Sequence, residues 1–238
     1  MNPAATADPT AGTERRLPVS EVFHSIQGEG VLIGRPSTFI RLTGCNYTCT
    51  WCDTPYTWKP GQIRPPLMTS VADLAAQVQH GAVVITGGEP LLHDLAPLLA
   101  ALPGKHVTIE TNASKVAGYP EVDLWSLSPK LASSGHHPDL AVIRHYLSLA
   151  PQGVQLKFVI GADADLAEAQ ATLAALPESR LVPVILQPVT APAFDRNTYM
   201  DYFAEWALAI AADPFWQDYR LQLLPQLHRL CWPDREGI

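Results

Sequence analysis

The apolar run Ser37-Thr38-Phe39-Ile40-Arg41-Leu42 leads directly into a loop that carries three cysteines, Cys45, Cys49 and Cys52. Thiolates are strong metal ligands, and closed zinc or iron–sulfur sites normally use four protein ligands. A site with three cysteines therefore leaves one metal position open, where a further ligand can bind and react. The stretch predicts a strand whose carboxyl end holds a chemically active metal centre.

Around this strand, short runs rich in apolar and β-branched residues alternate with stretches of helical periodicity. Strands are predicted at residues 19–24, 37–42, 82–86, 106–110, 124–127, 155–160, 182–186 and 219–223. Helices are predicted at 71–79, 94–102, 138–149, 166–175 and 198–212, with Ser70 and Asn197 as N-caps. This alternation predicts an α/β fold with a parallel sheet, although periodicity alone does not separate a barrel from a doubly wound sheet.

Polar residues and glycines cluster at the carboxyl ends of the predicted strands. They are Cys45 after 37–42, Gly87 to Glu89 after 82–86, Glu110 at the end of 106–110, Ser128 to Lys130 after 124–127, and Gln187 after 182–186. Parallel α/β barrels and open sheets bind their ligands at this end of the strands. We therefore expect these segments to surround one site.

Length and charge narrow the classes of function. The chain has 238 residues and a net charge of −7 with scattered basic residues, which favours one domain that binds a small molecule and not nucleic acid. Residues 1–18 are expected to form a disordered tail before a domain over 19–238, and no run predicts a membrane span. Three clustered cysteines do not suit a disulfide framework, which favours a reducing compartment, the cytoplasm.

The cysteine spacing, with Trp51 before the last cysteine, resembles that of radical S-adenosylmethionine (SAM) enzymes. Within that superfamily the chain resembles the 7-carboxy-7-deazaguanine synthases. The matching motifs are Ser25-Ile26-Gln27-Gly28-Glu29-Gly30, Cys52-Asp53-Thr54, Thr86-Gly87-Gly88-Glu89-Pro90, Glu110-Thr111-Asn112, Ser128-Pro129-Lys130, Lys157-Phe158-Val159, Gln187-Pro188-Val189 and Gln226-Leu227-His228. The resemblance implies a partial TIM-like barrel of about six parallel strands with reduced helices.

The resemblance also implies a reaction. The substrate would be 6-carboxy-5,6,7,8-tetrahydropterin, and the products 7-carboxy-7-deazaguanine and ammonia, a step of queuosine biosynthesis. A [4Fe–4S] cluster held by Cys45, Cys49 and Cys52 would pass an electron to SAM, and the resulting 5′-deoxyadenosyl radical would take hydrogen from the substrate before ring contraction. An electron donor such as flavodoxin and a homodimer are further implications.

Cofactor and metal contacts follow from the same resemblance. The residues implied to contact SAM are Trp51, Gly87, Gly88, Glu89, Ser128, Pro129, Lys130, Gln187 and Pro188. Glycines permit close approach of the backbone, and Glu89 can accept a hydrogen bond from the methionyl ammonium. Mg2+ would be held by Thr54 together with substrate oxygens, with Asp53 as a competing ligand.

The residues implied to contact the substrate come from several segments. They are Ile26, Gln27, Gly28, Glu29, Arg41, Thr86, Glu110 and His228. Arg41 interrupts an apolar strand and can bind a carboxylate through two parallel hydrogen bonds. Gln27, Glu29 and Glu110 can pair with the polar edge of a pterin.

Two alternatives stay open at this point. Another radical SAM activity, such as that of a glycyl-radical-enzyme activase, would use the same cysteines, but only Cys231 is left over for an additional cluster. A zinc-binding module would complete the three cysteines with a histidine such as His24 or His80. The pair His136-His137 is expected to lie in an exposed loop and not at a metal.

Overall fold

The structure, a computed structural model, describes residues 15–149, 153–190 and 195–233 together with Arg235 and Gly237. All strands found in these residues belong to one sheet. They are β1 Arg16–Ile26, β2 Pro36–Leu42, β3 Leu67–Ser70, β4 Ala82–Gly87, β5 His106–Thr111, β6 Leu124–Leu127, β7 Val154–Ile160, β8 Pro183–Pro188 and β9 Arg220–Leu223. Every predicted strand is present, whereas β3 was not predicted, because a strand this short offers too few positions for alternation to stand out.

The sheet is mostly parallel. Its order is β3-β1-β2-β4-β5-β6-β7-β8-β9. β1 pairs antiparallel with β2 and β3, whereas β2 and β4 to β9 run parallel to one another. The predicted α/β class is confirmed, and the parallel part has seven strands where about six were expected.

Strand β1 begins earlier than predicted. Arg16, Leu17 and Pro18 were assigned to the disordered tail, but they pair with β3, and Leu17 is buried in the core. The burial of Leu17 and Val19 on one face explains why the strand extends to this point. The rest of that predicted tail, residues 1–14, lies outside the described residues.

The helices of the described residues are α1 Val71–Ala76, α2 Ala96–Ala100, α3 Leu140–Leu149, α4 Asp163–Ala174, α5 Arg196–Ala212 and α6 Leu227–Cys231. α1 and α2 have six and five residues, fewer than two turns, which agrees with the reduced helices that were expected. Ser70 caps α1 as predicted. The cap predicted for Asn197 is wrong, because α5 begins earlier and the Asp195 carboxylate accepts from Thr198 N–H at 2.8 Å. None of these helices is long and apolar enough to cross a bilayer.

The two faces of the sheet differ in polarity, as strand β7 illustrates. Leu156 and Phe158 are fully buried in the main core, which the helices cover. Gln155, Lys157 and Val159 alternate with them and lie on the opposite face. Burial of an apolar side chain of this size stabilises a fold by about 1.5–3 kcal/mol. The helix-covered face therefore holds the structure together, and the polar face is available for a site.

Candidate active site

A cavity of about 1250 Å3, including its open mouth, lies at the carboxyl ends of the parallel strands. The predicted site residues that line it are Cys45, Cys49, Trp51, Cys52, Thr54, Ile26, Gln27, Gly28, Glu29, Arg41, Thr86, Gly87, Gly88, Glu110, Ser128, Lys130 and His228. Four other predicted residues are not among the described residues of the lining: Glu89, Pro129, Gln187 and Pro188. The strand polarity therefore brought most of the predicted residues into one place, as parallel sheets do.

The three cysteines lie in a loop, residues 45–52, that we call the cysteine loop. All three are partly exposed and line the cavity. Tyr47 N–H points to Cys45 Sγ at 3.4 Å, and Trp58 Nε1–H points to Cys52 Sγ at 3.2 Å. Such N–H donors stabilise metal-bound sulfur, because they offset its negative charge. The donor set therefore fits a [4Fe–4S] cluster with three protein ligands.

Two histidines named as possible zinc ligands lie elsewhere. His24 and His80 each place Nδ1 near Thr38 Oγ1, at 3.1 and 3.3 Å. Thr38 belongs to the amino-terminal half of β2, whereas the cysteines follow its carboxyl end. In the part of the chain that the structure describes, no three Cys, His, Asp or Glu side chains converge on one ion. Neither histidine therefore lies where it could complete a zinc site with the three cysteines.

Two glycines bring the end of β4 against the cysteine loop. A Cβ atom at Gly87, whose φ is +147°, would lie 2.2 Å from the carbonyl oxygen of Leu42. At Gly88 a Cβ atom would lie 2.1 Å from the carbonyl oxygen of Gly44 and 2.9 Å from Cβ of Cys45. No side chain fits at such distances, and only glycine tolerates the φ of Gly87. The backbone of residues 87–88 is thereby held beside the first cysteine.

Glu89 is buried next to the site and is not among the described lining residues. Its fully buried carboxylate accepts hydrogen bonds from Leu91 N–H at 3.0 Å, Thr111 Oγ1–H at 2.8 Å and Asn112 N–H at 2.7 Å. Burial raises the pKa of this carboxyl, and the three donors oppose that effect. Glu89 therefore fastens the β4 loop to the end of β5, and a direct contact with SAM is not favoured by its position.

Lys130 places a partly buried cation near the cysteines. Its ammonium donates to the carbonyl oxygen and to Oγ of Ser128, at 2.9 and 3.0 Å. Burial lowers the pKa of Lys130, and the neighbouring Cys49 and Asp53 favour its charged form. Both Ser128 and Lys130 line the cavity, so they can donate to an anionic or hydroxylated ligand beside the cluster.

A hydrogen-bonded triad occupies the other end of the cavity. Gln27 Nε2–H donates to Glu110 Oε1 at 3.0 Å, and Thr86 Oγ1–H donates to Glu110 Oε2 at 3.0 Å. Gln27 Oε1 accepts from Glu29 N–H at 3.1 Å, which fixes the orientation of the amide. Gln27, Thr86 and Glu110 come from the β1–β2 loop, β4 and β5, and all three were predicted to contact one substrate.

Glu29 forms an ion pair that joins the β1–β2 loop to β7. Lys157 Nζ contacts Glu29 Oε2, and Gln226 Nε2–H donates to Glu29 Oε1 at 2.7 Å. Burial would raise the pKa of Glu29, but Lys157, His228 and Gln226 together hold it well below its usual range. Burial would likewise lower the pKa of Lys157, yet the Glu29 carboxylate raises it. The pair is therefore ionised, with both glutamate oxygens engaged by the protein.

Arg41 lies on β2 opposite Glu21 of β1. Its Nε–H donates to Glu21 Oε1 at 2.7 Å, and its guanidinium carbon lies 5.4 Å from the ring centre of Phe23. Tyr56 Oη–H donates to the same Glu21 oxygen at 2.9 Å. Burial would lower the pKa of Arg41, but Tyr56 and Glu21 raise it. Within the described residues the Nη atoms of Arg41 make no hydrogen bond, so they can bind a carboxylate in the cavity.

His228 and Thr54 complete the predicted lining. His228, on α6, packs so closely on Gly28 that a Cβ atom there would lie 2.1 Å from Nδ1 of the histidine. Thr54 Oγ1 lies 3.7 Å from Cys52 Sγ, and Asp53 also lines the cavity. Cys231, the remaining cysteine, is exposed on α6 and is not among the described lining residues, so it adds no ligand to the cysteine loop.

Several lining residues were given no role from the sequence, although Lys157 and Gln226 lie within two of the motifs that carried the resemblance. Lys157 and Gln226 fix Glu29, and Phe23 stacks on Phe39 with ring centres 4.7 Å apart. Lys157 interrupts an apolar strand just as Arg41 does, so the same signal could have identified it. The two phenylalanines carry no such signal, because an apolar side chain suits either face of a covered sheet.

Comparison with known proteins extends the match beyond the cysteine loop. Residues 39–128 match the Radical SAM superfamily. The 7-carboxy-7-deazaguanine synthase of Halobacterium salinarum is 34% identical, over 92% of this chain and 91% of that protein. The one of Pyrobaculum aerophilum is 31% identical, over 93% and 97%. The crystal structure of QueE from Escherichia coli superposes with a TM-score of 0.65 at 28% identity, over 87% of this chain and 93% of that one.

Proposed function

Because the chain belongs to the 7-carboxy-7-deazaguanine synthase family of radical SAM enzymes, we propose that it converts 6-carboxy-5,6,7,8-tetrahydropterin to 7-carboxy-7-deazaguanine and ammonia in queuosine biosynthesis. The observation that carries this proposal is the single cavity that the cysteines share with the Gln27–Glu110–Thr86 triad. A substrate held by the triad would lie in the same cavity as the cofactor.

The end of the cavity next to the cysteine loop, which we call the cofactor end, would bind the cluster and SAM. When bound, a [4Fe–4S] cluster and SAM supply a 5′-deoxyadenosyl radical that abstracts hydrogen from the substrate. Gly87 and Gly88 allow the backbone to approach SAM, and Ser128 and Lys130 would donate to its ribose and carboxylate. The amide of Gln187 is fully buried without a hydrogen-bond partner in the described residues, but it is not among the described lining residues, so its contact with SAM stays a prediction.

The other end suits an anionic, hydrogen-bonding bicycle. Arg41 would bind the substrate carboxylate through its Nη atoms, because Glu21 engages only Nε. Glu110 and Gln27 would pair with the amine and carbonyl of the aminopyrimidinone ring. Ile26, Gly28, Glu29, Thr86 and His228 would complete the wall around it. Both Glu29 oxygens are taken by Lys157 and Gln226, whereas Glu21 engages only Nε of Arg41, so the donors left for the substrate carboxylate are the Nη groups of Arg41.

Thr54 is the residue that would hold a magnesium ion. Thr54 lines the cavity next to the last cysteine, and its hydroxyl is a neutral oxygen ligand. Magnesium keeps several waters and prefers oxygen, so one hydroxyl together with substrate oxygens is a sufficient set. Asp53 is the competing ligand from the same segment.

We retain three further predictions as part of the proposal. An electron donor such as flavodoxin would reduce the cluster, the enzyme would act as a homodimer, and it would work in the cytoplasm. Partly exposed thiols that must bind metal require a reducing environment, which supports the compartment.

The direct test is anaerobic reconstitution with iron and sulfide, followed by incubation with the pterin, SAM, Mg2+ and dithionite. We expect a brown protein that releases the deazaguanine and ammonia in equal amounts. A fully loaded cluster that cleaves SAM but gives no deazaguanine would overturn the proposed reaction, whereas a colourless protein saturated with zinc would overturn the cluster.

Substitution of Arg41 by alanine tests the substrate end separately. We expect KM for the pterin to rise by about 10- to 100-fold, because a charge-assisted hydrogen bond is worth about 1.5–3 kcal/mol. Cleavage of SAM without substrate should stay close to the wild-type rate. Arg144→Ala is the matched control, since Arg144 is an exposed arginine on α3 that donates to Ala175 O, and it should change neither quantity.

A further inference from the structure

A segment after β6, residues 132–136, contacts the cysteine loop at successive positions, and we call it the brace. Thr48 N–H donates to His136 Nε2 at 2.9 Å, and the rings of Tyr47 and His136 stack with centres 4.1 Å apart and an interplanar angle of 11°. Thr50 N–H donates to Ser134 O at 3.1 Å. The two arms of the loop on either side of Cys49 are therefore both held by one segment.

The brace reaches the second arm through Ser133. Thr50 Oγ1–H donates to the carbonyl oxygen of Ser133 at 2.7 Å, and Trp51 Nε1–H donates to its Oγ at 2.9 Å. A Cβ atom at Gly161 would lie 2.8 Å from the same hydroxyl, so a larger residue there would displace it. The indole of the residue between the last two cysteines is thereby fixed by the brace.

The brace is in turn anchored on α4. Asp165, fully buried, accepts from Ser133 N–H at 2.9 Å, from Gly161 N–H at 2.7 Å and from Ala162 N–H at 3.0 Å. Glu168 accepts from Ala132 N–H at 2.7 Å. These bonds go to backbone donors of the brace, so they do not depend on which side chains the brace itself carries.

We propose that His136 is a positioning residue for the cysteine loop, which acts as a neutral acceptor for Thr48 N–H and as a stacking platform for Tyr47. The inference rests on the proposed function, since it concerns how this chain holds its cluster. With Nε2 accepting, the ring proton must reside on Nδ1. The interaction keeps Thr48 N–H turned towards His136 and away from the sulfurs. Hydrogen bonds to sulfur and solvent exposure both alter the potential of a cluster.

The surroundings of His136 favour this neutral form. Burial lowers its pKa, and the charges of Lys130 and His137 lower it further. His137, by contrast, is exposed and contacts Glu168 at 2.5 Å, with no contact to the cysteine loop in the described residues. The histidine pair therefore divides into one residue that touches the loop and one that does not.

The test uses His136→Phe, which keeps the stacking ring and removes the acceptor, and His136→Gln, whose Oε1 can replace Nε2. His137→Phe is the matched control. In the apo protein, amide exchange of residues 46–51 should become roughly 2- to 10-fold faster in His136→Phe, as loss of one hydrogen bond predicts. In the anaerobic holoenzyme, His136→Phe should lower iron retention or the rate of SAM cleavage, or both, by about 10-fold. The electron paramagnetic resonance spectrum of its reduced cluster should also differ from that of the wild type.

Recovery in His136→Gln and wild-type behaviour in His137→Phe would support the assignment. Unchanged amide exchange and an unchanged spectrum in His136→Phe would overturn it, and so would an equal loss in His137→Phe. These readouts do not involve the pterin. A wild-type enzyme that loads its cluster but forms no deazaguanine would therefore defeat the proposed function and leave this inference standing.

Discussion

Two cations reach the cavity from β2 and from β7, and each is paired with a glutamate of the same chain. Arg41 and Glu21 have side-chain exposures of 16% and 18%, and Lys157 and Glu29 have 8% and 14%. Glu21 engages only Nε of Arg41, whereas both oxygens of Glu29 are bound by Lys157 and Gln226. The comparison indicates that Arg41 is a binding group held ready for a ligand, and that Lys157 is a structural group that fixes a loop.

The largest effect should follow removal of the structural cation. Lys157→Met leaves the Glu29 carboxylate buried without its counter-ion, and breaking such a pair costs about 3–5 kcal/mol. We expect the free energy of unfolding of the apo protein, measured by urea denaturation, to fall by that amount. The double variant Lys157→Met with Glu29→Gln should recover most of the loss, because no unpaired charge remains. A single variant as stable as the wild type would show that the pair is not structural.

The same pair predicts a pH dependence. The pKa of Glu29 is lower in the folded protein than its ordinary value of 4.5. Its stabilising contribution is therefore complete above pH 4.5 and is lost as the pH falls towards the folded value. The pKa of Lys157 is raised above 10.5, so its contribution is complete below that pH and is lost above the folded value.

We expect the double variant to lose less stability than the wild type as the pH is lowered below 4.5. Both proteins would be followed by urea denaturation at a series of pH values. If the two proteins lost stability equally in this range, carboxylates other than Glu29 would be responsible for the loss of stability at acid pH. The comparison needs no cluster, so it can be made on apo protein in air with a thiol reductant.

Substitution in the pair of Arg41 and Glu21 should lower the stability by less. Glu21→Gln keeps a hydrogen-bond acceptor for Arg41 Nε but removes the charge, so the free energy of unfolding should fall by about 1–2 kcal/mol. KM for the pterin should rise, because the guanidinium is no longer held in one orientation. Steady-state kinetics of the loaded enzyme would measure this. A loss of stability equal to that of Lys157→Met, without any change in KM, would reverse the roles that we assign to the two cations.

From the sequence a role was assigned to Arg41 and none to Lys157, which was quoted only within the motif Lys157-Phe158-Val159. Arg41 was identified because a charge interrupted an apolar strand next to the cysteines, and Lys157 interrupts β7 in the same way. What the sequence could not predict is the partner, since Glu29 reaches Lys157 only after the β1–β2 loop crosses to β7. Contacts between residues distant in sequence depend on tertiary packing, and no local pattern encodes them.

The fold, too, has features that the sequence predicts and features that it does not. Strand polarity placed Cys45, Gly88, Glu110 and Lys130 at one end of the sheet, and the structure brings these residues to one cavity. Glu89 has the right motif, but its carboxylate is used by Thr111 and Asn112 and lies behind the lining. Short elements such as β3 and α6 were missed, because their length is below that at which a period can be recognised.

The smallest effect is expected at Tyr56. Its hydroxyl donates to the Glu21 oxygen that also binds Arg41, so Tyr56→Phe removes one of two donors and leaves the ion pair intact. We expect the free energy of unfolding to fall by about 0.5–1.5 kcal/mol and KM to stay close to that of the wild type. Tyr202→Phe, at a tyrosine that is 51% exposed, is the control and should be neutral. If Tyr56→Phe raised KM as much as Glu21→Gln does, the phenol and not the glutamate would be the group that orients Arg41.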